Sequence, residues 1–237
     1  MEPYYPESAL ERAMKIEEDS ITCMKMIRNV IENKGIFCSL YTDRASHFWL
    51  TRKAGEEVSK NSPTQIGRAL RELGVQHIPS YSPQARGRSE RLNRTLQGRI
   101  PQELRVRGIK TLPEANQYLK TEYIKEYNRR FAVKAEQQGT AFIAVPKNLA
   151  LDRIFCFKHE RTVNNDNTIS FNNRIFQIGS TQLRVSFAKC KVTVYEHLDS
   201  SITIGYGPYT LGYYTPKALT LKKSYKNKAK ILTTTSN

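Results

Sequence analysis

Residues 80–93 run Ser80-Tyr81-Ser82-Pro83-Gln84-Ala85-Arg86-Gly87-Arg88-Ser89-Glu90-Arg91-Leu92-Asn93, and they join two kinds of structure. Just upstream, Val75 to Ile78 is short and β-prone and is closed by Pro79. Residues 80–87 are rich in Ser, Pro and Gly and are predicted to form a loop. Over 88–98 the pattern turns helical. At about 100° per residue, Glu90, Asn93, Arg94 and Gln97 share one side, and Leu92 and Leu96 oppose them. Strand, Gly-containing loop and helix in that order belong to an α/β arrangement. In such folds, ligand-binding and catalytic groups gather at the carboxyl ends of strands. Glu90 is expected in the first turn of its helix, on a polar face among phosphate-seeking groups.

Working upstream, Ile36 to Tyr41 is a short, mostly apolar run consistent with a buried strand, and it stops at Thr42-Asp43. Before it, Ser20 is placed to cap a helix over 20–33 whose stripe is Ile21, Met24, Ile27 and Ile31, with Gly35 at its end. After it, residues 51–63 are polar and punctuated by Gly and Pro, as a loop would be. A further helix follows from Thr64, with Ile66, Leu70 and Leu73 on one face and Gly74 at its end. Asp43 thus ends a strand, and Glu90 opens a helix. A lone carboxylate among arginines is ordinarily a salt-bridge partner. The sharper alternative is an Asp43–Glu90 pair that holds Mg²⁺ on a DNA-facing surface.

Downstream, Pro113 suits the first turn of another helix, which carries Leu119, Tyr123 and Tyr127. Residues 132–149 lose that period and are expected to be a linker. From Phe155 to Tyr206, β-prone runs alternate with turn residues at 164–167, 172–173 and 198–201; Val192–Tyr195 and Ile202–Ile204 are the clearest strands. Short strands at close spacing predict a small barrel or sandwich. The expected layout is an α/β segment over 1–131, a linker over 132–149, an all-β module over 150–210 and a basic tail over 211–237. There is no internal repeat.

Charge narrows the partner. Among 237 residues, 38 Lys plus Arg stand against 22 Asp plus Glu, a net +16, which favours an anionic polymer such as nucleic acid. Between Gln84 and Lys110 lie Arg86, Arg88, Arg91, Arg94, Arg99, Arg105 and Arg107 against only Glu90 and Glu103. Arginine's planar fork suits phosphate. A second cluster is Lys217, Lys222, Lys223, Lys226, Lys228 and Lys230, which serves either as a solvated terminus or as a DNA-contacting arm. With 39% hydrophobic residues the chain has the composition of a globular protein. No apolar run approaches the ~20 residues of a membrane span, and the first residues do not resemble a secretory signal. Cys23, Cys38, Cys156 and Cys190 are scattered, as free and mostly buried thiols of a cytoplasmic protein would be.

These residues carry a family resemblance. Leu40-Tyr41-Thr42-Asp43-Arg44 with Ser46-His47-Phe48 looks like the strand and loop holding the second acid of retroviral-integrase-like transposase cores. The 80–93 block is similar to the segment before that family's final acid, where Ser-Pro-Gln leads through Gly to Glu-Arg and an Asn. Tyr127-Asn128 and Thr140-Ala141-Phe142 resemble the end of the core. In the β module, 157–163 and 192–196 resemble the C-terminal part of bacterial insertion-sequence transposases of the ISNCY group. The likeness covers roughly residues 10–210 and raises the metal-binding alternative for Asp43 and Glu90 above the salt bridge.

The resemblance implies a ribonuclease H-like α/β integrase core followed by the small all-β module. It implies a polynucleotidyl transferase: two Mg²⁺ (or Mn²⁺) ions held by three carboxylates, DNA cleavage, and strand transfer that integrates the element, with the intact protein acting as a homo-oligomer on DNA. Asp43 and Glu90 would be catalytic and metal-binding; Arg86, Arg88, Arg91, Asn93, Arg94 and Gln97 would contact DNA. The chain departs from the pattern twice. The 46 residues between Asp43 and Glu90 exceed the family's usual gap, and the surplus fits the 51–63 loop, since lengthening a surface loop costs little. In addition, the first Asp of the family lies on a strand ahead of the first helix. Only nineteen residues precede the helix expected here, too few for three strands with their turns, although 9–17 could be what is left of the third. Glu17, Glu18 and Asp19 fit acids near a helix N-terminus better than the missing ligand. The expectation is therefore an N-terminally truncated transposase, inactive alone. The alternative is a non-catalytic DNA-binding remnant or an inhibitor of the full-length enzyme.

Overall fold

In the computed structural model of the chain, Asp19 rather than Ser20 caps the first helix, α1 (Ser20–Lys34): its carboxylate accepts from Thr22 N at 2.7 Å. The described residues are 19–50, 58–59, 63–81, 83–133, 139–182, 184–216 and 231–232, without the side chains of 83–86, 88 and 231–232. Residues 9–17, with Glu17 and Glu18, lie outside them, as do most of the 51–63 loop and Lys217 to Lys230. The chain divides into two units, 1–149 and 150–237.

In the first unit α1 buries Cys23, Met24 and Ile31. Gly35 stops it at φ +108°, with its N–H bonded to Ile31 O. Glycine is required here, because a Cβ would lie 2.6 Å from Ile143 O and the backbone is in a region L-residues avoid. Ile36 and Ile143 exchange two backbone hydrogen bonds of 2.8 Å. The 140–143 part of the expected linker is therefore docked against the start of the same unit.

Strand β1 (Ser39–Thr42) pairs in parallel with β2 (Gln76–Pro79), in the register Ser39↔Gln76 to Thr42↔Pro79. The strand predicted over 36–41 is displaced toward its C-terminus. It is not buried throughout: Thr42 is buried, but Ser39 and Tyr41 are exposed. Side chains alternate across a strand, and among the described residues β1 has a strand neighbour only on its β2 edge. Helix α2 (Gln65–Glu72) is capped by Thr64 Oγ1, which accepts from Gly67 N at 3.1 Å, and buries Ile66, Ala69 and Leu70.

Helix α3 spans Pro83–Val106, so residues 83–87 are helical and not the loop their composition suggests. Proline is tolerated in a first turn because the N–H it lacks has no intrahelical partner there. The helix also continues beyond 98, past Pro101. Leu92, Leu96, Ile100 and Leu104 form one stripe packed with Tyr118, Leu119, Tyr123 and Tyr127. Those come from α4 (Leu112–Tyr118), opened by a Thr111/Glu114 capping box, a π turn (Leu119–Tyr123) and α5 (Ile124–Phe131). Five residues in an α-helix turn about 140° past a full circle; the wider π turn brings Tyr123 back under Tyr118, ring centroids 6.0 Å apart.

The second unit begins with a short helix, α6 (Leu151–Ile154). Strands β3 (Cys156–Thr162), β6 (Lys191–His197), β7 (Ile202–Tyr206) and β8 (Tyr209–Tyr214) form an antiparallel sheet in the order β3-β6-β7-β8. A second sheet is β4 (Thr168–Phe171), β5 (Arg174–Gln177) and β9 (Ile231–Leu232). The two sheets share one apolar core around Ile169, Phe176, Phe187, Val194 and Ile204. Two strands lie in the stretch expected to be a tail. β8 carries buried Leu211 and Tyr214 past residue 210, and β9 pairs in parallel with β5. Cys23 and Cys156 are buried thiols, Cys190 is half-buried, and Cys38 is exposed. Among the described residues no helix is long and apolar enough to cross a membrane.

Candidate active site

Parallel pairing brings the carboxyl ends of β1 and β2 side by side. Ser80 N donates to Thr42 O at 2.9 Å, continuing the ladder past the last paired residues. Asp43 follows directly and is half-buried; its Oδ1 accepts from Ala45 N at 3.2 Å. The chain then turns back on itself, since Phe48 N and Trp49 N both donate to Ala45 O. Trp49 thereby returns to Thr42, and its indole N–H donates to Thr42 Oγ1 at 2.9 Å. The same oxygen is 2.9 Å from His77 Nε2, and the indole stacks on the imidazole with centroids 3.9 Å apart. Burial pushes His77 down to about 4, so the ring is neutral at neutral pH. Beside this cluster is a cavity of about 370 Å³ lined by Phe48, Trp49, Pro63, Arg71, Val75 and His77 among others.

From the same edge the chain passes Tyr81 into α3. The Arg44 guanidinium lies 5.3 Å from the Tyr81 ring centroid, and Tyr81 OH accepts from Val58 N at 3.3 Å. Glu90 is exposed on α3, about 10 Å of helical rise from Pro83 and beyond the first turn expected for it. Among the described residues no ion pair engages it. Arg91, Arg94 and Gln97 are exposed and Asn93 is half-buried, with Leu96 buried opposite, as the helical wheel requires. Arg86 and Arg88 belong to the same helix, but their side chains lie outside the described residues. Two arginines of the cluster serve packing. Arg99 sits 4.8 Å over Phe131; Arg107 sits 4.5 Å over Tyr118 and pairs with Glu103.

Asp43 therefore stands at the strand edge from which α3 departs, and Glu90 stands on that helix with the exposed arginines. Among the described residues no three His, Cys, Asp or Glu side chains converge. The two carboxylates are hard oxygen donors, a set that suits Mg²⁺ or Mn²⁺ better than zinc. Sequence patterning missed Thr42, Trp49, His77 and Tyr81. One signal was present: Trp49 is the chain's single tryptophan, placed six residues after the candidate acid.

No protein-family model matches the chain. It is 33% identical over 178 residues to the transposase for insertion sequence IS1202 of Streptococcus pneumoniae, covering 75% of this chain and 38% of that protein. It is 28% identical over 199 residues to a Sinorhizobium fredii protein named as a transposase, y4bF, covering 83% of this chain and 42% of that protein. The chain thus spans about two fifths of the length of these curated relatives. Over at least three quarters of its own length, the chain is a homologue of these two proteins, both named as transposases.

Proposed function

We propose that the first unit is part of a ribonuclease H-like integrase core, and that the intact transposase cleaves DNA and transfers strands in a Mg²⁺-dependent reaction. One observation carries this reading. The paired ends of β1 and β2 present Asp43 where α3 leaves the sheet, and α3 carries Glu90 beside Arg91 and Arg94 on its exposed face. Asp43 and Glu90 would hold Mg²⁺ or Mn²⁺, which when bound activates water and neutralises charge on the scissile phosphate. Arg91, Arg94 and Gln97, with Arg86, Arg88 and Asn93, bind and orient the strand by its phosphates. Arg44, fixed on Tyr81, adds a cation next to Asp43. The second unit contributes further DNA contacts, and the intact protein works as a homo-oligomer on DNA.

Among the described residues Asp43 and Glu90 supply two of the three carboxylates this chemistry uses, so the chain alone is expected to bind duplex DNA without cutting it. Binding should weaken steeply between about 50 and 200 mM salt as counterions are released. Supplying in trans the portion of the IS1202 relative that this chain does not cover should yield Mg²⁺-dependent nicking, lost in Asp43→Asn and in Glu90→Gln. Nicking that survives both substitutions would remove these residues from the site. DNA binding with no cleavage in the complemented reaction would instead favour a DNA-binding remnant or an inhibitor of the full-length enzyme.

A further inference from the structure

Thr42 is held at two oxygens. Its carbonyl accepts from Ser80 N, and its buried Oγ1 accepts from Trp49 Nε1 while sharing a second bond with His77 Nε2. The Thr42–Trp49 bond closes the 42–49 loop, with Asp43 as the first residue after β1. The stack of Trp49 on His77 then clamps that loop onto β2, where His77 lies opposite Leu40. The indole borders a cavity on one side, and its hydrogen bond to Thr42 fixes the ring's orientation there. Asp43 follows Thr42 directly, so holding Thr42 holds the backbone from which the Asp43 carboxylate projects. Asp43 Oδ1 is then tied to Ala45 N within the same loop.

We propose that Thr42, Trp49 and His77 are positioning residues that lock the 42–49 loop and thereby set the direction in which the Asp43 carboxylate meets a divalent cation. This rests on the reading of Asp43 as a metal ligand. Groups that orient a metal ligand typically change affinity ten- to a hundredfold when removed.

The test is titration of the whole chain with Mn²⁺ alone, followed by electron paramagnetic resonance, with thermal melting as a parallel readout. Wild type should bind, and Asp43→Asn should abolish the site. Trp49→Phe, which keeps a stacking ring, and Thr42→Val, which keeps the shape, should each weaken Mn²⁺ binding about tenfold, whereas Thr42→Ser should stay close to wild type. Leu70→Val, a core change in α2 outside the cluster, should lower the melting temperature without changing Mn²⁺ affinity. Should Thr42→Val fail to fold, Trp49→Phe carries the test. Wild-type affinity in Trp49→Phe while Asp43→Asn has lost the site overturns the positioning role alone; so does an equal loss in Leu70→Val. If wild type binds no Mn²⁺, or Asp43→Asn binds it equally well, the metal reading of Asp43 falls first and the positioning role with it.

Discussion

A histidine held neutral by burial makes its surroundings sensitive to mild acid. His77 has its folded pKa lowered from 6.5 to about 4, so below 6.5 the unfolded chain takes up a proton that the folded chain resists. The stability that depends on a neutral ring is complete above that value and is lost as the pH falls toward 4. Glu126 titrates outside this window, because the hydrogen bond from Arg129 holds its carboxyl at about 2. The urea midpoint of the first unit should therefore drop between pH 7 and about pH 5, and His77→Gln, which cannot titrate, should flatten the drop. A midpoint with the same pH dependence in both proteins would place the sensitive group elsewhere. His77 also shows why part of the site was hidden in the sequence. Asp43 and Glu90 stood out because each sits at the end of a readable pattern or on its polar face. The Thr42–His77 contact spans 35 residues and follows no period. It exists only because two strands pair in one particular register.

At the scale of the element, α3 separates what patterning can and cannot reach. Its two faces were legible, because an apolar stripe at helical spacing must find a partner, and Leu92, Leu96, Ile100 and Leu104 find the tyrosines of α4, the π turn and α5. Its ends were not. Pro83, Gly87 and Pro101 are punctuation in composition, yet a first-turn proline is harmless and tertiary packing offsets the other two. Leu96→Ala should destabilise the first unit by about 2–4 kcal/mol, measured by urea unfolding, since it empties a buried site among Tyr118, Leu119 and Tyr123. Gln97→Ala, one residue on and exposed, should stay within about 0.5 kcal/mol. Comparable losses would mean that the stripe does not carry the packing. β8 was missed for a different reason. The module was expected to end at 210, but Gly207, at φ +55°, and Pro208 turn the chain back into a β7–β8 hairpin that runs on to Tyr214.

Across the whole molecule, the division into an α/β unit and an all-β unit was readable from the change of period near residue 150, because helices and half-buried strands impose different spacings. The docking of residues 140–143 was not, since a single bridge leaves no repeating pattern. That bridge has a kinetic consequence. Ile36 and Ile143 are more than a hundred residues apart, and closing a loop of that length costs about 4 kcal/mol of chain entropy before any contact repays it. The helices of α3–α5 and the β1–β2 pair involve shorter closures, so the 36–143 contact should form after the folding transition state. Gly35→Ala, which forces a Cβ against Ile143 O, should then speed unfolding in stopped-flow experiments while leaving the folding rate nearly unchanged. A chain emerging from the ribosome would accordingly hold its first unit unlatched until residue 143 has been made, and a chain stopped short of that point would fold its helices and still lack the fastening.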